Sequence, residues 1–351
     1  MALVKLPHRL ASHDFLSVGA VGWVYRINDR IVLKYPKDPD DTAFNREVQV
    51  FDLLEKHDIC PDIVQNFLCV PNGIFLAYLS GGSLDQRLQR NRRHTDNGTE
   101  VFRIEPTSLV ERWTMELCSA VSWLESLGRV HGDIRPPNLL LDAEDHLKLA
   151  DFDSVASIGE PYAGAAPPWA RLQGSEAGSE NGTFGMCGAR TEQFAIGSII
   201  YSMTRGYEPY EFETLIEGGP EIVKRLQKME FPKLNGGDLD GIIERCWKGG
   251  FSSLCDLLEE AKLLGGAIQL PRATSLSRED CDKIRKDFRS GDNWVPGSKL
   301  KLLSRDTRNG GMAKDTNSWY SKNKAEESVG FNAPYEEIKY EKKNKNKKSK
   351  K

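Results

Sequence analysis

The chain has 351 residues, 39% hydrophobic and 28% charged, a composition that suits one or two globular cores and excludes collagen-like, mucin-like and wholly disordered chains. No apolar run reaches the ~18 residues of a membrane-spanning helix, and the opening MALVKLPHRLAS has no apolar core of the kind a secretory signal needs. The net charge of −3 divides unevenly: residues 266–351 carry 21 Lys/Arg against 12 Asp/Glu, and the preceding body is acidic, the layout of a folded domain with a basic interaction tail.

Taken in chain order, Asp14 to Asn28 has a strand pattern interrupted by glycines, and RIVLKY (30–35) is a short β-branched run. Asp41 to Lys56 repeats apolar residues at Phe44, Val48, Phe51 and Leu54, the spacing of a helix. Leu68 to Leu79 reads as two strands around a Pro71-Asn72-Gly73 turn. After Gly81-Gly82 the pattern becomes helical, with helices expected over 109–127, 191–204 and 239–247. The Gly/Ser/Pro-rich stretch 157–190 is too long for a passive connector, and such loops are usually functional. Beyond 266 the chain is polar, with one helical pattern at 277–289 and a low-complexity end, EKKNKNKKSKK. Seven scattered cysteines, without a C-x-x-C, argue against a disulfide framework or zinc ribbon and for a reducing, intracellular compartment, cytoplasmic and/or nuclear.

The chemistry concentrates in HGDIRPPNLLL (131–141) and Asp151-Phe152-Asp153. Leu139–Leu141 and Leu147–Leu149 read as a hairpin, which puts Asp133 and Asn138 before one strand and Asp151 after the next. Asp, Asn and a second Asp supply hard oxygen ligands suited to Mg²⁺ held together with substrate phosphates.

These segments resemble the eukaryotic protein kinases, over about residues 14–262. His131-Gly132-Asp133 with Asn138 resembles H-R-D-x-x-x-x-N, and Asp151 matches the Asp of D-F-G. SVGAVGWVY (17–25) resembles the glycine-rich loop with Ser17 in place of its first glycine; Lys34 in IVLK matches the β3 lysine, and Glu47 stands where its helical partner should. The segments 192–210 and Cys246-Trp247 resemble later landmarks of the same family. The resemblance implies an α+β, two-lobed protein-kinase-like fold, with a small N-terminal β-rich lobe over 1–79 and a larger mainly helical lobe over 80–265; composition adds a basic, largely disordered tail over 266–351. It implies ATP and Mg²⁺ as cofactors, with Asp133 orienting the substrate hydroxyl, Asn138 and Asp151 holding metal, and Lys34, Glu47 and Arg135 serving the phosphates. Ser17, Gly19, Gly22, Val24, Val32, Lys34, Leu76, Ala77, Leu79 and Leu140 would surround the nucleotide, with Leu76 as gatekeeper and the backbone of Ala77 and Leu79 at the adenine edge.

The departures bear on activity. Gly132 removes the arginine that receives an activation-loop phosphate, Asp153 replaces the last glycine of D-F-G, and Glu192 replaces the aspartate that braces the catalytic loop. The A-P-E element is blurred: Gly174-Ser175-Glu176 is the better match and Ala166-Pro167-Pro168 the alternative, with no partner arginine assignable to Glu176. Phosphotransfer to serine or threonine of a protein substrate is the leading expectation. A pseudokinase or scaffold, and a small-molecule phosphotransferase, are the alternatives. The seven lysines of 341–351 could recruit a nuclear-import receptor, against a merely solubilising role. Oligomeric state is not legible.

Overall fold

A computed structural model of the chain describes residues 14–290 except 39, 71–72, 96–97 and 214–217. The first lobe is a five-stranded antiparallel sheet in the order β1-β2-β3-β5-β4: β1 (Asp14–Val18), β2 (Gly22–Arg26), β3 (Ile31–Pro36), β4 (Asn66–Val70) and β5 (Gly73–Ala77), with α1 (Thr42–Leu54) inserted after β3. Burial on both faces explains why the β3 sequence is apolar apart from Lys34. Val32 joins the main core with Phe44 and Phe51 of α1, while Ile31 and Leu33 join a second cluster on the other face. Asp41 caps α1 by accepting from the Ala43 and Phe44 N–H groups at 2.7 and 3.1 Å. The buried stripe of α1 is Phe44, Glu47, Val50, Phe51 and Leu54, so one glutamate occupies a core-facing position. The start of the expected turn at 71–72 lies outside the described residues.

After β5 the chain passes through β6 (Gly82–Ser83), α2 (Leu84–Arg90) and an exposed hairpin of β7 (Arg92–Thr95) and β8 (Gly98–Val101) into α3 (Thr107–Ser126). The short strand β9 (Arg129–Val130) leads to β10 (Leu139–Leu141) and β11 (Leu147–Leu149), which pair as the expected hairpin, and β12 (Ala156–Ser157) returns to pair with β9. Glu116 of α3 fixes the hairpin by accepting from the Leu147 N–H at 2.8 Å and meeting His146 Nδ1 at 2.6 Å. The sheet lobe is tied to this hairpin by the Val64 N–H on the Leu149 carbonyl and the Leu149 N–H on the Asp62 carbonyl, both 2.9 Å. The helical body follows: α4 (Ala189–Arg205), α5 (Gly219–Gln227), α6 (Asp238–Lys248), α7 (Leu254–Ala261) and α8 (Gly265–Gln269), with α3 packed against α4, α7 and α8. The architecture is the two-lobed α+β fold expected. No described helix is long and apolar enough to cross a membrane.

The start of the tail is corrected. α8 buries Ala267 in the main core, and α9 (Arg278–Ser290) belongs to the folded body. Cys281 and Ile284 of α9 cover the outer face of the sheet beside Tyr25, Leu33 and Phe75, and Arg285 donates to the Phe67 carbonyl and to Glu55. Two apolar residues at i and i+3 suffice to dock a helix most of whose other positions are charged, which is why average polarity concealed it. Residues 291–351, including the lysine-rich end, lie outside the described residues.

Candidate active site

The side-chain alternation that buries Val32 brings Lys34 to the same face, toward α1. Its Nζ lies 2.6 Å from Glu47 Oε2 and 2.5 Å from Asp151 Oδ1. Lys34 is 5% exposed and Glu47 fully buried. Burial works against the ammonium charge, but Glu47 and Asp151 outweigh it and hold the Lys34 pKa above its ordinary value. Burial pushes the Glu47 carboxyl up to about 7, against the pull of Lys34 and with help from the charge on Asp151. The second Glu47 oxygen accepts the Phe152 N–H at 3.3 Å, so α1 positions both the lysine and the backbone that carries Asp151.

Asp151 adopts a left-handed backbone conformation, φ +69°, a conformation that Asp tolerates better than bulkier residues and that is often found at functional sites. It turns the chain so that Phe152 is fully buried between Phe51 and His131, each ring centroid 5.3 Å away. Asp153 accepts from Ser154 Oγ at 2.8 Å, and its pKa is raised by burial and by the neighbouring charge of Asp151.

The catalytic-loop residues form a second group, braced through backbone atoms. Asn138 Nδ2 donates to the Asp133 carbonyl at 2.8 Å and to Asp133 Oδ2 at 2.9 Å. Arg135 Nε lies 2.9 Å from the same Oδ2. His131 Nε2 contacts the Ala150 carbonyl at 3.0 Å, and its Nδ1 lies 3.3 Å from the Asp133 N–H. That pattern assigns the neutral tautomer protonated on Nε2, in keeping with burial that lowers the His131 pKa. Glu192 of α4 accepts from the His131 N–H at 2.7 Å and the Gly132 N–H at 3.1 Å, so the longer acid makes the brace expected of an aspartate. Gly132 has φ +81°, and a Cβ there would sit 2.6 Å from the Ser154 carbonyl oxygen, so no side chain fits.

The remaining sequence-derived residues are placed as follows. Val24 pairs with Lys34 across β2 and β3, and Val32 pairs with Leu76 across β3 and β5. The Ala77 N–H donates to the Gln65 carbonyl and the Tyr78 N–H to the Arg30 carbonyl, both 2.9 Å. Leu140 and Leu79 are half-buried at the edge of the main core. Ser17 sits at a register irregularity in β1. A Cβ on Gly22 would meet the Tyr35 carbonyl oxygen at 2.7 Å, so strand pairing alone demands that glycine. Gly19 lies in the β1–β2 turn, where Lys37 Nζ donates to its carbonyl at 2.6 Å, an interaction that no sequence spacing announced. Arg171 donates to Glu176 at 2.7 Å, with Arg190 3.7 Å away, which supplies the arginine partner the sequence left unassigned. A cavity of about 250 Å³ between α1, β4 and α9 contains none of these residues.

A family model described as protein tyrosine and serine/threonine kinase matches residues 28–253. The chain belongs to the protein kinase family. The matched span begins after β2, so the reading of Ser17, Gly19, Gly22 and Val24 depends on their place in the sheet. Rho-associated protein kinase 1 of Homo sapiens is 26% identical over 219 residues, covering 60% of this kinase chain and 15% of the relative. CBL-interacting serine/threonine-protein kinase 21 of Arabidopsis thaliana is 25% identical over 197 residues, covering 54% of the chain and 42% of the relative. Serine/threonine-protein kinase MRCK beta of Homo sapiens is 26% identical over 199 residues, covering 54% and 10%. The chain thus spans less than half the length of each of these relatives.

Proposed function

We propose that this chain is an active kinase that transfers the γ-phosphoryl group of ATP to serine or threonine hydroxyls of a protein. The observation that carries the reading is the convergence of Lys34, Glu47 and Asp151 at 2.5–2.6 Å, with a catalytic loop whose His131, Gly132 and Asp133 N–H groups are each held. Phosphoryl transfer asks for positioning and charge neutralisation more than for covalent chemistry. Lys34, held charged, is placed to meet nucleotide phosphates. The Ala77 carbonyl and the backbone of Leu79 are left for the adenine edge, with Val24, Val32 and Leu140 beside the ring. The donor set also suits Mg²⁺. Beyond partial burial, Asp151 and Asp133 both raise the pKa of the half-buried Asp153 carboxyl, an excess of negative charge that a hard cation relieves. Asp151 and the Oδ1 of Asn138 would hold it, and when bound it would neutralise phosphate charge.

In the reaction the substrate oxygen bonds to Pγ, the bond from Pγ to the β-bridging oxygen breaks, and ADP leaves. Asn138 and Arg135 both engage Asp133 Oδ2, which leaves Oδ1 to orient the substrate hydroxyl and take its proton. Arg135 stands beside this carboxylate as the cation for the γ-phosphate. The likeness to relatives named serine/threonine-protein kinases favours a serine or threonine acceptor. The test is purified full chain with γ-labelled ATP, Mg²⁺ and a degenerate peptide array, beside Asp133→Asn. Peptide labelling abolished by the substitution is the expected result; nucleotide binding without turnover, or labelling of small alcohols alone, overturns the reading. We propose in addition that the lysines of 341–351 recruit a nuclear-import receptor. Deletion of 341–351 should then move a fluorescent fusion from nucleus to cytoplasm, and an unchanged distribution would leave only a solubilising role.

A further inference from the structure

The peptide group joining Gly132 to Asp133 is gripped at both ends. Its N–H faces His131 Nδ1 at 3.3 Å, and its carbonyl accepts the Tyr162 hydroxyl at 3.1 Å. The preceding N–H, that of Gly132, is held by Glu192. Tyr162 lies 30 positions beyond Gly132, in the stretch of 157–190 between β12 and α4, and it is itself fixed. Its N–H donates to the Gly185 carbonyl at 2.9 Å, and its ring meets the Phe184 ring edge-on at 6.0 Å. Beside it the Gly159 N–H bonds the Cys187 carbonyl and the Cys187 N–H bonds the Glu160 carbonyl, at 2.9 and 2.8 Å. Pro161 bridges Met186 in the same antiparallel sense. Residues 159–162 are therefore zipped onto 185–187, directly ahead of the helix that carries Glu192. One scaffold delivers both a carboxylate to the N–H side of Gly132 and a hydroxyl to its carbonyl side.

We infer that Tyr162 is a positioning residue: its hydroxyl, delivered by a segment closed through its own backbone bonds, fixes the Gly132–Asp133 peptide and thereby the Asp133 carboxylate. The direction of the contact follows from the close approach at Gly132. Because a Cβ there would strike the Ser154 carbonyl, the loop cannot send a side chain out to the segment, and the segment sends one in. A carbonyl that loses its donor in a partly buried place is left unsatisfied, and the peptide is free to tilt. The inference depends on the proposed role of Asp133 in phosphotransfer, and its test separates the two.

The test compares the full chain with Tyr162→Phe and Tyr162→Ala, by steady-state kinetics, thermal unfolding and amide hydrogen exchange over residues 130–135. Tyr162→Phe keeps the ring on Phe184 and removes only the donor. It should lower kcat about tenfold, leave KM for ATP and peptide within about twofold, keep Tm near wild type and speed exchange at Gly132 and Asp133. Unchanged kcat and exchange in Tyr162→Phe, a loss carried by KM, or a loss confined to Tyr162→Ala would overturn the inference, because ring packing would then be the whole role. If the wild-type chain transfers no phosphate, the proposed function falls. The exchange measurement still decides the latch: faster local exchange in Tyr162→Phe supports it and unchanged exchange removes it.

Discussion

Glu47 on α1 and Glu192 on α4 are both buried glutamates, and burial lifts each carboxyl from the ordinary 4.5 to about 7, yet they hold different partners. Glu47 faces an ammonium, and through it an aspartate. Glu192 faces two backbone N–H groups and meets no cation, only the repulsion of Asp133 and Glu125. The first arrangement is specific to a charge, since no neutral residue could replace Lys34 there. The second is specific to a backbone conformation, one that requires glycine at 132 but needs no charged side chain from the loop. This difference explains how the chain dispenses with the arginine of H-R-D at Gly132 while retaining a lysine and a glutamate at 34 and 47. It also explains why the aspartate-to-glutamate change at 192 is tolerated, since a longer arm from α4 still reaches both amides.

The largest expected effect comes from breaking the charged half. Lys34→Met should reduce phosphotransfer by on the order of a hundredfold or more, as loss of a preorganised electrostatic donor does. It should also cost about 3 kcal/mol of stability, because Glu47 stays buried without its cation. Adding Glu47→Gln removes the stranded charge. The double variant should regain most of the lost stability in urea unfolding and none of the activity. Recovery of turnover in the double variant, or full stability in the single one, would mean that Lys34 and Glu47 do not act as a pair.

The Glu192 half is tested by pH. A carboxyl whose folded pKa lies above its unfolded value binds its proton more tightly in the folded state. Its contribution is therefore fully present below about 4.5 and is lost as pH rises through about 7. Between pH 5 and 8 this one group should cost the wild type about 3 kcal/mol. Glu192→Gln carries no such titration, but it turns an amide nitrogen toward a backbone N–H and loses one bond at every pH, with kcat lowered about tenfold. Denaturant midpoints measured for both proteins should show the variant clearly weaker at pH 5.5 and the gap narrowed at pH 8. A gap that stays constant would show that Glu192 is not held near 7. His131, whose pKa is lowered by burial, bends both curves alike, so the difference isolates Glu192.

The charged half was readable in the sequence because charge at a fixed offset leaves a signature. Lys34 sits on the core-facing side of an alternating strand, and Glu47 falls in the apolar stripe of α1 between Phe44 and Phe51. The main strands, α1, α3, α4 and α6 followed from periodicity for the same reason. The backbone half left little trace. Tyr162 acts on a carbonyl 30 residues away, in a glycine-rich stretch with no period to follow, and Arg171 pairs with Glu176 inside the same stretch. α2 and α5 are short, and the β7–β8 hairpin is polar and paired across its face by Arg93 and Glu100, so no apolar pattern marks it. α9 was legible as a helix but not as part of the body, because among its described side chains only the apolar Cys281 and Ile284 are set down on the sheet.

The smallest expected effect is a null one, and it bears on the backbone half most directly. With Gly132 in a left-handed conformation against the Ser154 carbonyl, position 132 offers no cation to read a phosphate. The two acceptors just after Asp151 are already engaged: Ser154 Oγ donates to Asp153, and Ser157 Oγ accepts from Arg129. The segment is closed by its own bonds between 159–162 and 185–187 rather than by added charge, so a phosphate has no closing task left there, and the one guanidinium at either serine, that of Arg129 on Ser157, is already engaged with the neutral hydroxyl. Phosphatase treatment of the purified chain should leave the kcat and KM of the proposed phosphotransfer unchanged within about twofold, and Ser154→Ala with Ser157→Ala should behave alike. A large fall on dephosphorylation, restored by phosphate at either serine, would show that charge also governs the loop, and the contrast between Glu47 and Glu192 would then be one of degree.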